Sequence, residues 1–144
     1  MIIDPNTGNL LLGIESVGPT LTEKEFIELA LGESAARVRK TETRNWYEIW
    51  RPGDSGRAAG VVIGFAPGGE IQQARIKLVK DETRAAGVSG WSREVENEIK
   101  EFHDGLLRRQ LGDPPYDFRW GQVSSVIDQH DYSAIIIVTF KPKR

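Results

Sequence analysis

The chain has no cysteine among its 144 residues. That absence excludes a disulfide scaffold, a thiolate zinc site and a cysteine nucleophile together. Long hydrophobic runs are missing as well. The longest, residues 134–138, is far too short to cross a bilayer. The first five residues, Met1, Ile2, Ile3, Asp4 and Pro5, offer no basic region followed by an apolar stretch, so they do not read as a secretory signal. An excess of positive charge is also lacking. Lysine and arginine number 19 against 21 aspartates and glutamates, for a net charge of -2, whereas a general nucleic-acid binder is usually basic. These absences predict a cytoplasmic protein whose partner is neither a membrane nor nucleic acid.

What is present is ordinary for a globular domain: 39% hydrophobic and 28% charged residues. The length is enough to bury one core without staples, and predicts a single domain over residues 1–144. Residues 10–15 read as a short strand. Thr22 followed by Glu25 forms a capping-box pattern, and Phe26, Ile27, Leu29, Ala30 and Leu31 continue a helix that Gly32 closes. Residues 37–44 are basic and read as a loop running into a strand.

Three strands follow. In residues 46–50, Trp46, Glu48 and Trp50 share one face, with Tyr47 and Ile49 on the other. Residues 59–66 are almost continuously apolar, as in a strand covered on both faces. Residues 71–79 alternate, with Ala74, Ile76 and Leu78 on one side. Residues 81–90 read as a flexible connection. Ser92 caps a second helix that runs to about Leu111, with Val95, Ile99, Phe102 and Leu106 as its buried stripe. Gly112 and the pair Pro114, Pro115 stop it, and residues 119–127 and 132–140 read as two final strands. The pattern predicts an α+β domain: a twisted antiparallel sheet of about five to six strands, with two helices packed on one face.

Several short constellations invite a chemical reading. Gly53, Asp54, Ser55 and Gly56 copy the tetrapeptide around a serine-protease nucleophile. Both histidines follow that serine, however, and the chain is too short for a double barrel, so a hairpin turn is the better reading. Asp128, His130 and Asp131 cluster as metal-ligand types but lie between two strands, where polar residues usually make a turn. His103 flanks the apolar stripe with no nucleophile tied to it. The stretch from Gly64 to Gly69 lacks the lysine and the following helix of a phosphate loop. Arg37, Arg39, Lys40 and Arg44 lie near Trp46 and Trp50, a combination that can stack single-stranded nucleic acid, but the run is short in an acidic chain. No metal or other cofactor is expected from these patterns.

The outer face of the second helix is the strongest binding candidate. Helical spacing places Glu94, Asn97, Glu101, Asp104 and Arg108 opposite the apolar stripe, with Glu98 beside them. Such a ridge can steer a basic partner. The bland alternative is a solvated face with local pairs, Glu96 with Lys100 and Asp104 with Arg108.

The C-terminal pattern also carries a resemblance. Phe102, His103 and Asp104 near the end of a helix, then Leu111 and Gly112, Tyr116, the run Trp120, Gly121, Gln122, Val123, Ser124, Ser125, then Asp128 and an apolar strand, resemble small bacterial immunity proteins. These are encoded beside polymorphic or contact-dependent toxins, type VI secretion effectors included. The stretch from Leu21 to Phe26 is similar to the same group. The resemblance implies a non-catalytic protein that binds one cognate toxin and blocks its active site or substrate path. The acidic helix face would then meet a basic cleft, for example that of a nuclease. Two other readings compete. One is a small enzyme or small-ligand protein using His103, His130, Asp128 and the tryptophans. The other is an oligomer-forming domain with an aromatic patch around Trp46 and Trp50.

Overall fold

The computed structural model describes residues 1–12, 15–29, 36–40, 44–53 and 55–142. Three short strands, β1 (Ile2–Ile3), β2 (Leu10–Leu12) and β3 (Glu15–Val17), form a small antiparallel sheet in that order. Helix α1 (Glu23–Glu28) follows. The main sheet is built from β4 (Ala36–Lys40), β5 (Asn45–Pro52), β6 (Arg57–Phe65), β7 (Ile71–Lys80), β8 (Tyr116–Phe118), β9 (Gly121–Asp128) and β10 (Ser133–Phe140). Between β7 and β8 come α2 (Asp81–Ala86), a 3-10 turn (Gly87–Gly90) and α3 (Arg93–Leu111).

The seven strands run in the order β4-β5-β6-β7-β10-β9-β8, every pairing antiparallel. The α+β antiparallel architecture is the one the sequence predicts, with more strands than expected. The additions to the main sheet are β4 and β8, and β1 is a further one in the small sheet. β4 carries Arg37, Arg39 and Lys40 and lies at an edge, where basic residues discourage further pairing. β8 is three residues long, too short for any periodicity. The expected strand over residues 10–15 is instead two strands, β2 and the start of β3. α1 ends at Glu28, and Gly32, the expected stop, lies outside the described residues. Residues 81–90 are helical rather than irregular. α2 buries nothing, so it has no apolar stripe to read, but Asp81 and Glu82 in its first turn and Arg84 in its last complement the helix dipole.

Strand register builds the core in rows. Tyr47, Ile63, Ala74, Val138 and Val123 align across five strands, and Ile49, Val61, Ile76 and Ile136 form the next row. Phe26 of α1 and Leu106 and Leu107 of α3 join this same cluster, so both helices cover one face. The small sheet adds Ile3, Leu10 and Val17. Each such fully buried side chain is worth about 1.5–3 kcal/mol of transfer free energy. α1 is short, but Thr22 and Glu25 form the predicted capping box. Phe26 then packs 5.2 Å from Tyr47 and 5.5 Å from Phe65. Among the described residues no helix is long and apolar enough to cross a membrane.

The opposite face of the sheet carries Trp46 and Trp50. Their rings lie over Gly64 and Gly60, where an added Cβ would come within 2.9 and 2.7 Å of the indoles. Arg44 and Arg75 stand 5.4 and 5.2 Å from the Trp46 ring, and Arg84 is 4.1 Å from that of Trp50. Trp46 is only 5% exposed. The expected open aromatic patch is therefore closed at Trp46, whereas Trp50, under Arg84, is only half-buried.

Candidate partner-binding surface

Helix α3 places every residue of the predicted ridge. Ser92 caps it by accepting from the Val95 amide at 3.1 Å, and Gly112 ends it at φ 85°, a conformation that favours glycine. Its buried side chains are Glu96, Ile99, His103, Leu106 and Leu107. The expected stripe of Val95, Ile99, Phe102 and Leu106 is thus displaced: Val95 and Phe102 are only half-buried, and two polar residues sit deeper.

The reason lies in the sheet. β7 and β10 pair from Gln73 and Thr139 to Ile76 and Ile136, and no further. Beyond that point α3, with Arg57 of β6, supplies the partners that a neighbouring strand would have given. Glu96 Oε1 accepts from the Ala134 amide at 2.9 Å, and His103 Nε2 accepts from the Leu78 amide at 3.1 Å. Arg57 Nη1 donates to the Leu78 carbonyl at 2.9 Å. Further along, Gln110 accepts from the Ile3 amide at 2.8 Å and donates to the Met1 carbonyl at 2.9 Å. Glu96 also pairs with Lys77, and Glu98 with the buried Arg57 and, at 3.8 Å, with Lys80.

These contacts decide the histidines. His103 is fully buried, and burial first, then the charges of Lys77 and Arg57, push its pKa down to about 3. Its Nε2 accepts a bond, so the neutral ring carries its proton on Nδ1, which is buried without a hydrogen-bond partner among the described residues. It is a structural acceptor, inaccessible to substrate. His130 lies in an exposed turn, where its amide donates to Asp128 Oδ1 at 2.9 Å. Among the described residues no three histidine, aspartate or glutamate side chains gather to hold a metal. Ser55, at φ 60°, sits in the hairpin closed by the Gly53 amide on the Arg57 carbonyl, and Asp54 lies outside the described residues. The 64–69 stretch is likewise a hairpin turn, with the Gly69 amide on the Ala66 carbonyl. Of the alternative site's residues, Asp128 and Trp50 line one cleft of about 230 Å³, but neither His103 nor His130 lines it.

The outward stripe divides. Glu94, Asn97, Glu101 and Arg108 are exposed. Asn97 accepts from the Tyr132 hydroxyl at 2.7 Å. Glu98 turns away to Arg57, and Asp104 pairs with Lys100 at 2.7 Å. The local pairs expected from sequence, Glu96 with Lys100 and Asp104 with Arg108, are replaced because Glu96 is drawn inward to the Ala134 amide. Partial burial pushes the Asp104 carboxyl up, but hydrogen bonding from Lys100 and Ser125 and the charge of Lys100 more than offset this and hold it below its usual range.

Lys100, Asp104 and Arg108 also wall a groove of about 610 Å³. Its other boundaries are Pro114, Pro115 and Tyr116 at one end and residues 122–126 of β9 along the side. Sequence reading of the ridge missed this groove. The available signal was the proline pair directly before a short strand.

No protein-family model matches the chain, and no curated protein matches it. Among solved structures, a chain of Rhs1-CT in complex with cognate immunity protein RhsI1 superimposes with a TM-score of 0.61 at 14% sequence identity. The match covers 98% of this chain and 87% of that one. The likeness is one of fold, and it extends over nearly the whole path described above.

Proposed function

We propose that the chain is an immunity protein: a non-catalytic protein that binds one cognate toxin and neutralises it by covering its active site or substrate path. The observation that carries this reading is the fold shared, over 98% of the chain, with a component of a complex between Rhs1-CT and its cognate immunity protein. Two features of the molecule support the immunity side. The histidines and the Gly53-to-Gly56 motif do not assemble a catalytic centre among the described residues. The exposed stripe of Glu94, Asn97 and Glu101, continued by Asp104 and Arg108, stands on a rigid helix of 19 residues.

Carboxylates held on a helix favour a toxin with a basic cleft, of which a nuclease is one kind. The toxin belongs, on this reading, to a polymorphic or type VI effector system, and the complex forms in the bacterial cytoplasm. Occlusion needs no cofactor.

The test is co-expression with the product of the neighbouring reading frame in a bacterial host. Restored growth and a stoichiometric complex are the expected outcome. Absence of both protection and complex overturns the reading. Growth arrest by this chain alone would assign it to the toxin side instead.

A further inference from the structure

We propose that the outer edge of β9, over residues 124–128, receives an extended segment of the bound toxin as an added strand of the sheet. The inference rests on the toxin-binding reading and assigns it a second contact, beside the α3 stripe.

The edge follows from the register. β8 pairs only with Val123, Gln122 and Gly121, so among the described residues the rest of β9 has a strand on one side alone. The chain that leads into β8 is Pro114 and Pro115, which have no N–H to extend the pairing. A groove lies where that extension would have run.

Antiparallel alternation says which backbone groups face it. The Ala134 amide turns towards α3, where Glu96 accepts it. Its neighbours Ser133 and Ile135 therefore direct their N–H and C=O towards β9, to Asp128 and Val126. Ser125 and Ile127 then direct theirs the other way, to the open edge, where Ser125 lines the groove and Ile127 lies just beyond it. The Gln129 side chain approaches the Ile127 carbonyl from that side at 3.4 Å, a weak bond that an incoming strand displaces.

A row of strand donors and acceptors is matched by another extended main chain. Five residues at about 3.4 Å each give roughly 17 Å of pairing. The charged groups lining the groove are Lys100 and Arg108 against Asp104 and Asp117, two of each sign. With no net charge to satisfy, the groove fits a segment of small, uncharged side chains recognised through its backbone. The exposed Glu94 and Glu101 remain available to the toxin's basic groups.

Amide hydrogen exchange by NMR tests this on the unaltered protein, alone and saturated with the toxin. The amides of Ser125 and Ile127 are expected to exchange rapidly in the isolated chain and at least tenfold more slowly in the complex. In parallel, Ser125→Pro removes one groove-facing N–H, whereas Ser125→Ala keeps it. The proline variant is expected to weaken toxin binding at least tenfold, and the alanine variant less than threefold. A stable complex in which both amides stay fast overturns the added strand while leaving the toxin reading intact. Equal loss for both variants also overturns it, because the side chain would then be the contact. Slow exchange in the isolated chain that grows with protein concentration assigns the edge to a second copy of this chain and overturns the toxin strand. If no complex forms at all, the toxin reading fails first.

Discussion

The two sides of α3 use polar residues in opposite ways. On the inward side Glu96, His103 and Gln110 recur every seven residues, two helical turns apart, and each hydrogen-bonds to strand backbone. Ile99 and Leu106 alternate with them and fill the core. On the outward side Glu94, Asn97, Glu101, Asp104 and Arg108 follow the same three- and four-residue steps, yet most of them face solvent. Spacing alone cannot separate these rows, since both satisfy a helical period. The sheet separates them. Where β7 and β10 part, strand amides are left that must be satisfied, and Glu96 and His103 of α3 accept from them. The inward row therefore fixes the rotation and axial position of the helix, while the apolar residues supply most of the energy. Fixing the helix also fixes the outward row, and this turns a charged face into a defined surface.

The sharpest way to break the comparison is to charge the inward row. His103 has its pKa lowered from 6.5 to about 3 in the folded chain. As pH falls below 6.5 the unfolded chain takes up the proton and the folded chain resists it. Stability from this group is therefore complete above pH 6.5 and declines until about pH 3. The slope is about 1.4 kcal/mol per pH unit, or about 5 kcal/mol over the whole window. His103→Gln keeps an acceptor for the Leu78 amide and does not titrate. Urea unfolding from pH 7 to 4.5 should show a steeper loss in the parent than in this variant. Parallel curves would mean that His103 protonates in place.

Next in size is a contrast between core and seam. Leu107→Ala removes a fully buried side chain and should cost about 3 kcal/mol. Glu96→Leu leaves the Ala134 amide without its acceptor and Lys77 without its carboxylate, but Lys77 keeps the Ser133 hydroxyl and, 25% exposed, can turn to water. A loss of about 2 kcal/mol is expected. Denaturant titration of both variants at pH 7 decides the order. If Glu96→Leu proves the costlier, the polar row supplies energy as well as position.

The inward row also marks where the sequence stopped being readable. The β5–β7 meander, the Ser92 cap, the Gly112 stop and the capping box at Thr22 were legible because each depends on neighbours in the chain. Glu96 and Gln110 were not, because a polar residue on a helix reads as solvated until a distant strand amide is known to lie above it. β10 enters the sheet between β7 and β9, an arrangement set by long-range packing. The groove depends on that strand order and on where β8 stops, so its residues, dispersed from Lys100 to Val126, gave no local pattern. α2 lacked a stripe, and β4 looked like a basic loop because it is an edge.

The smallest expected effect concerns the outward row and sharpens the comparison from the other side. Replacing Glu94, Glu101 and Asp104 by Gln, Gln and Asn removes the half-exposed Lys100 pair and leaves an amide oxygen at position 104 for Ser125, so thermal unfolding should hardly change. Binding to the toxin should weaken about tenfold at low salt, mainly through slower association, and less at high salt, where the charges are screened. Surface plasmon resonance at two ionic strengths separates the rate constants. Unchanged association would remove the stripe from the interface, leaving the β9 edge as the surface to map. A faster dissociation with unchanged association would place these carboxylates in close, desolvated pairs rather than in a steering field, because steering acts before contact and pairing after it.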